Sequence, residues 1–268
     1  LKSTGAKVVV DSKWFSTVVM ESADSTVAER LRKLPNVDSV KWVWKGEHKA
    51  ILDSVVDQIS SYPSDLRLNN KYGYALQQIK MLNGVNLHKS GFEGEGMRVA
   101  VIDAGFRNID KIAAYNKMHI IGTHNVVCPN ESVYVGDEHG AKVLSCMAAD
   151  LPGYMVGTAP KASYLLIKSE DSNSEYPIEE DFWAAAAEYA DSVGVNVITS
   201  SLGYYAFDSE KMSYHHSDLN GQTAQISRAA NMAASKGILV FCSAGNEGNG
   251  DWEKITFPAD AEEVYTVG

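Results

Sequence analysis

The sequence predicts an α/β fold: a parallel sheet with helices on both faces, preceded by a small α/β unit. Three observations carry that prediction. From Tyr72 onward, short β-rich apolar runs alternate with longer segments of helical periodicity, the pattern of parallel strands joined by helices. The central runs, such as Val99-Ala100-Val101-Ile102, are almost continuously apolar, as strands covered on both faces must be. The composition, 45% hydrophobic and 22% charged over 268 residues, supplies core for one large domain or two unequal ones.

The elements follow in order. Lys7–Val10 and Phe15–Met20 are β-rich. Asp24-Ser25-Thr26 offers helix caps, with Glu29 placed to complete a capping box on Thr26, and Val27, Leu31 and Leu34 form a one-sided stripe that Pro35-Asn36 ends. Val40, Trp42 and Trp44 then alternate with Lys41, Val43 and Lys45, which predicts a strand. This unit is too small to be stable alone and is expected to pack on something larger. Residues 48–70 read as a connector: Ile51, Val55 and Ile59 suit a helix, but Ser60 to Asp65 and Asn69-Asn70 are turn chemistry. Beyond it, strands are predicted at Met97–Ile102, His119–Val127, Ala162–Ile167, Val195–Ser200 and Ile238–Ser243. Helices are predicted at Gly140–Ala149, Ile178–Ser192 and Asp218–Ser235.

Charge excludes some partners. With 24 Lys+Arg against 34 Asp+Glu, the net charge is −10, and no basic stripe suits nucleic acid or an anionic membrane surface. The longest stretch free of Asp, Glu, Lys and Arg, residues 192–207, is too short and too polar to span a bilayer. Cys128, Cys146 and Cys242 have no metal-ligand spacing; Cys146 and Cys242, in apolar runs, are expected to be buried. No metal or cofactor site is expected.

Ligands on such sheets bind at the carboxyl ends of the strands, and four features gather there. Asp103 ends an apolar strand and is followed by Ala104-Gly105. His139 stands before a helical run in Glu138-His139-Gly140-Ala141. Ser200-Ser201-Leu202-Gly203 closes another strand, and Asn246 lies in the turn Ala244-Gly245-Asn246-Glu247-Gly248. Singly, each reads as turn or loop chemistry. Asp103 also suits the phosphate site of an actin-like ATPase, a reading that leaves His139 and the Asn246 turn unexplained.

Together, Val-Ala-Val-Ile-Asp-Ala-Gly, Glu-His-Gly-Ala-Lys-Val-Leu-Ser, Ser-Ser-Leu-Gly and Ser-Ala-Gly-Asn-Glu-Gly resemble successive motifs of the subtilisin-like serine proteases, the subtilases, over Tyr72 to Gly268. The resemblance implies a subtilisin-like fold and serine endopeptidase chemistry on a peptide or protein substrate. It makes His139 the general base and Asp103 the residue that orients it. Asn246 becomes the oxyanion donor, with Ser201, Leu202, Gly203, Ala244 and Gly245 as substrate-binding walls. It also implies a pro-segment in residues 1–60, incomplete at its N-terminus and acting as an intramolecular inhibitor. A maturation linker over 61–71, a catalytic domain over 72–268 and an extracellular or periplasmic location complete the expectation.

The sequence departs from the family at Ala104, where Ser or Thr is common, and at Ala141-Lys142, where Thr and a second His are common. No serine follows Asn246, so the chain is expected to stop short of the nucleophile and to be inactive by itself. A non-catalytic peptide-binding or inhibitory module on the same fold is the alternative.

Overall fold

A computed structural model describes residues 5–46 and 62–268. The N-terminal part is an antiparallel hairpin, β1 (Lys7–Ser12) and β2 (Thr17–Glu21), followed by α1 (Val27–Arg32). Two short helices, α2 (Leu76–Met81) and α3 (Gly84–Lys89), lead into the main body. There, β3 (Arg98–Asp103), β4 (His119–Asn125), β7 (Ser163–Lys168), β8 (Val197–Ser200), β9 (Leu239–Ser243) and β10 (Tyr265–Val267) form one sheet. Between β4 and β7 lie α4 (His139–Ala148) and the small hairpin β5 (Asp150–Leu151) and β6 (Met155–Val156). Helix α5 (Ile178–Val193) links β7 to β8, and α6 (Gln225–Ser235) links β8 to β9.

The strand order is β10-β9-β8-β3-β7-β4, and every pairing in this sheet is parallel. The apolar run of β3 is the cause: Ala100, Val101 and Ile102 are fully buried because both faces are covered. On one face Ala100, Ile102, Ile198 and Val240 pack with Trp183, Ala187 and Ala230 of α5 and α6. On the other, Val101 and Leu166 pack with Phe106, Tyr115 and Leu144. Burying a large side chain of this kind contributes roughly 1.5–3 kcal/mol, so these two layers hold the strand ends, and whatever they carry, in fixed register. The Trp183 indole N–H donates to Ser200 Oγ at 2.9 Å in the buried layer, fixing α5 to the carboxyl end of β8.

The hairpin is not free-standing. Its turn grips the helix behind the sheet: Glu188 of α5 accepts from the Ser12 hydroxyl, from the Lys13 N–H at 3.0 Å and from the Trp14 N–H at 3.2 Å. Phe15 lies 5.6 Å beneath the Arg228 guanidinium of α6.

Several expectations are corrected. Residues 40–44 form no strand. The Val43 carbonyl instead accepts from the Ile178 N–H at 3.0 Å, at the start of α5, and Val43 and Trp44 pack on the α5–α6 core while Trp42 stays exposed. The segment's backbone is used by a helix terminus rather than by a ladder. Thr26 makes no capping bond of its own; Asp24 Oδ1 accepts from its N–H at 2.9 Å and from its hydroxyl at 2.7 Å. Cys146 is exposed, because α4 buries Gly140, Ala141, Leu144 and Ala148 on another face; Cys242 is buried. Helix α6 starts at Gln225 rather than Asp218, because Asn220 Oδ1 accepts from the N–H groups of Gln222 and Thr223, both at 2.9 Å, and holds a turn there. The strand β10 and the six-residue helices α2 and α3 were not anticipated. The helix suggested around Ile51–Ile59 lies outside the described residues.

Candidate active site

Strand β3 delivers Asp103 to the rim of the sheet as a fully buried carboxylate. Helix α4 begins at His139 and brings its half-exposed imidazole against it: Nδ1 lies 2.7 Å from Asp103 Oδ1. The same oxygen accepts from the Ala104 N–H at 2.8 Å, whereas Oδ2 is buried without a partner among the described residues. Ala104 has no hydroxyl with which to reach it. The hydrogen bond to Asp103 raises the His139 imidazole above its ordinary value, with burial opposing. Burial pushes the Asp103 carboxyl up, opposed by the bonds from His139 and Ala104.

This contact exists because two glycines permit it. A Cβ on Gly140 would stand 2.5 Å from the Gly105 carbonyl and 2.9 Å from the Asp103 Cβ. Gly105 has φ +155°, and a Cβ there would meet the Asp137 carbonyl at 2.8 Å. With side chains at these positions, α4 could not approach the end of β3. Asp137 Oδ1 then accepts from the His139 N–H at 2.7 Å and fixes the helix start. Lys142 pairs with Glu138 at 2.7 Å, and Arg107 pairs with the same carboxylate at 2.5 Å; these bonds hold Glu138 at about 2.

The remaining candidates lie along the same rim. Ile102 pairs with Ser200, and Ser200 with Cys242, so the ends of β3, β8 and β9 are level and β9 lies roughly 10 Å from β3. Ser201, Leu202 and Gly203 follow β8; Ala244, Gly245 and Asn246 follow β9. Leu202 is buried, while Gly203 and Asn246 are exposed. No hydrogen bond among the described residues ties the Asn246 side chain to the Asp103–His139 pair.

Two residues at this rim were missed in the sequence. Thr256 is buried between the two segments: its Oγ1 would lie 2.1 Å from a Cβ on Gly203 and 2.7 Å from one on Gly245, and its N–H donates to the Ala244 carbonyl at 3.1 Å. The dipeptide Thr256-Phe257 gives no hint of this, because the contact joins segments far apart in sequence. Glu170, two residues past β7, accepts from the Tyr204 hydroxyl at 2.9 Å. Its signal was visible, since a carboxylate just after a parallel strand sits where ligands bind.

Other histidines serve structure. His88 lies between the Tyr72 hydroxyl and the Thr158 carbonyl, and His216 lies 2.8 Å from the Trp252 carbonyl. Among the described residues, no group of three His, Cys, Asp or Glu is arranged to hold a metal ion, and no helix is long and apolar enough to cross a membrane.

Comparison with known proteins bears on this geometry. The sequence profile of the Subtilase family (Peptidase_S8) matches residues 94–268. The Major intracellular serine protease of Bacillus subtilis (strain 168) is 30% identical over 200 residues, which is 71% of this chain and 56% of that protein. Subtilisin E of the same organism is 28% identical over 229 residues, 83% of this chain and 54% of that protein. The chain thus spans little more than half the length of these relatives. Among solved structures, the serine protease MycP1, described as an essential component of the type VII (ESX-1) secretion system, superposes with a TM-score of 0.51 at 20% identity, covering 82% of this chain and 70% of that one. The prenylagaramide maturation protease PagA gives 0.50 at 18% identity, covering 69% of this chain and 57% of that one. These two structures establish the fold alone.

Proposed function

Because the chain belongs to the subtilase family, we propose that it is part of a serine endopeptidase that hydrolyses peptide bonds of peptide or protein substrates by an Asp-His-Ser mechanism. The observation that carries this reading is the 2.7 Å contact between buried Asp103 and His139 at the carboxyl end of β3. Asp103 keeps the proton on Nδ1 and stabilises the imidazolium, so Nε2 is the nitrogen left to take a proton from a serine hydroxyl. Such a base is required, since serine is a poor nucleophile near neutral pH. His139 then returns the proton to the leaving amine. The Asn246 amide donates to the oxyanion, and Ser201–Gly203 and Ala244-Gly245 flank the substrate backbone.

Among the described residues no serine hydroxyl bonds His139. By the chain order of the family motifs, the reading assigns the nucleophile to sequence outside these 268 residues and makes this chain inactive by itself. It also assigns residues 1–60 to an inhibitory pro-segment, 61–71 to a maturation linker and 72–268 to the catalytic domain. The grip of the β1–β2 turn on Glu188 supports a docked N-terminal unit. One relative is named an intracellular protease, so family membership does not decide between the extracellular or periplasmic space and the cell interior.

A fluorophosphonate probe tests the assignment. It is expected to label the complete enzyme and not the 268-residue chain, and His139→Ala is expected to lower kcat of the complete enzyme by several orders of magnitude. Labelling of the 268-residue chain overturns the placement of the nucleophile. Near-normal turnover by the variant overturns the role of His139.

A further inference from the structure

Beside the Asp103–His139 pair lies an open cleft of about 290 Å³ whose lining includes Glu170, Asp171, Glu175, Glu179 and Asp208. The other lining side chains are Ser and Asn, with no Lys or Arg among the described residues of the lining. Lys168, two residues before Glu170, is buried and does not line the cleft.

The cleft is built into the rim already described. The Ser169 N–H donates to the Asp103 carbonyl at 3.1 Å, so the segment carrying Glu170 and Asp171 leaves the sheet alongside Asp103. The Ser172 hydroxyl donates at 3.1 Å to Asp137 Oδ2, and Asp137 Oδ1 holds the start of the His139 helix. On the opposite side, the Tyr204 hydroxyl donates to Glu170 directly after the Ser201–Gly203 segment. The cleft thus sits between the base-bearing loop and one substrate wall.

Its floor is chemically incomplete. Glu179, in the first turn of α5, is 1% exposed; Oε1 accepts from the Asp171 N–H at 2.9 Å, and Oε2 is buried with no partner among the described residues. Burial pushes Glu179 up to about 10, Glu170 to about 8 and Glu175 to about 7, and neighbouring carboxylates push each further the same way. A buried carboxyl oxygen without a hydrogen-bond partner is costly, and burial keeps the acid protonated while it has none. It is retained at low cost if a donor arrives with the ligand.

We infer that this cleft is a specificity subsite that takes the cationic side chain, arginine or lysine, of the peptide substrate. A guanidinium offers several N–H donors in a planar fork that matches paired carboxylates, and its charge favours the ionised form of acids that burial otherwise keeps protonated. A metal ion suits the cleft less well, since no three of its carboxylates are arranged to hold one among the described residues. The inference rests on the proteolytic reading above and specifies the substrate class for the same site.

The test is cleavage of fluorogenic peptides by the complete enzyme. The peptides carry arginine, lysine, citrulline or norleucine in turn at each of the four positions on either side of the scissile bond. Citrulline keeps the shape of arginine and removes its charge. At one position, kcat/KM for arginine is expected to exceed that for citrulline at least tenfold. Glu179→Gln and Glu175→Gln are each expected to reduce that ratio at least threefold, with the change in KM. The readout is a ratio, which cancels any general loss of folded enzyme. Cleavage with equal rates for arginine and citrulline at every position overturns the subsite while leaving the protease reading intact. So does the same flat profile accompanied by a rise in thermal stability with calcium chloride that EDTA reverses, which would make the cleft a metal site. Failure to cleave any peptide overturns the protease reading itself.

Discussion

Two buried acids at one rim, Asp103 and Glu179, meet burial in opposite ways. Asp103 is placed against an imidazole, so its charge is shared with a group that can hold a proton. Glu179 receives one backbone N–H and faces Glu170 and Glu175; each acid keeps one buried oxygen with no donor among the described residues, but only Asp103 is set against a base. Both are removed from water at the same rim, Asp103 on the face of the sheet that α4 covers and Glu179 in the first turn of α5, so the difference lies in their partners. A buried carboxylate set against a base has its charge answered within the fold. One without a partner marks a place where something else completes it.

The largest effect expected from breaking this contrast is at Asp103. In the complete enzyme Asp103→Asn should lower kcat on the order of 10⁴-fold, the loss seen when the imidazole is held in the wrong tautomer. Glu179→Gln should leave proton transfer to His139 in place and change substrate choice instead. A pH–rate profile separates the two: the first variant distorts the acidic limb, where His139 loses its proton, and the second does not.

Next in size is packing. Gly140→Ala puts a methyl group 2.5 Å from the Gly105 carbonyl and 2.9 Å from the Asp103 Cβ. It should cost ~1–3 kcal/mol by overpacking. Measured by thermal melting, that is a drop of several degrees, since ~2–4 °C accompanies each kcal/mol in a domain of this size. An unchanged melting temperature would mean that α4 does not approach β3 as described.

Smaller still, pH should sharpen the contrast. Glu170, Glu175 and Glu179 hold protons in the fold that they release when unfolded, their folded values of about 8, 7 and 10 standing above the ordinary 4.5. Folding therefore takes up protons, and stability falls as pH rises from about 4.5 through those values. His139, also raised, adds stability that is fully present below its ordinary 6.5 and is lost as pH climbs through its folded value. Both losses run toward alkali, and variants tell them apart. Glu179→Gln should flatten the decline above neutrality, and His139→Ala should not. The smallest effect is expected at the back of the molecule, where Glu188→Ala removes the acceptor for the β1–β2 turn and should cost ~1 kcal/mol, read by the same melting assay.

The uneven legibility of the sequence follows from the range of the forces involved. The five strands from Met97 to Ser243 and the helices α4 and α5 were readable because burial on two faces writes itself into local composition. Asp103 and His139 were readable because family motifs surround them. The segment Val40–Trp44 was misread because alternation reports a half-buried extended chain and not who accepts its hydrogen bonds; here the start of α5 uses the Val43 carbonyl. Of the acidic cleft only Glu170, just after a strand, is legible, because Glu175, Glu179 and Asp208 look like ordinary surface charges until β7, α5 and the segment after β8 fold together. Cys146 was misjudged for a related reason: an apolar run on a helix has a dry side and a wet one.

Thr256 has a consequence for how this rim can evolve. It belongs to neither of the segments it separates, and the two glycines facing it leave no slack on either side. The spacing between the stretches after β8 and β9 is therefore gauged by a single side chain from a third stretch. A smaller residue there would let the gap narrow and a bulkier one would force it open, so the width of this gap can be retuned at one codon without disturbing a strand, the acid or the imidazole.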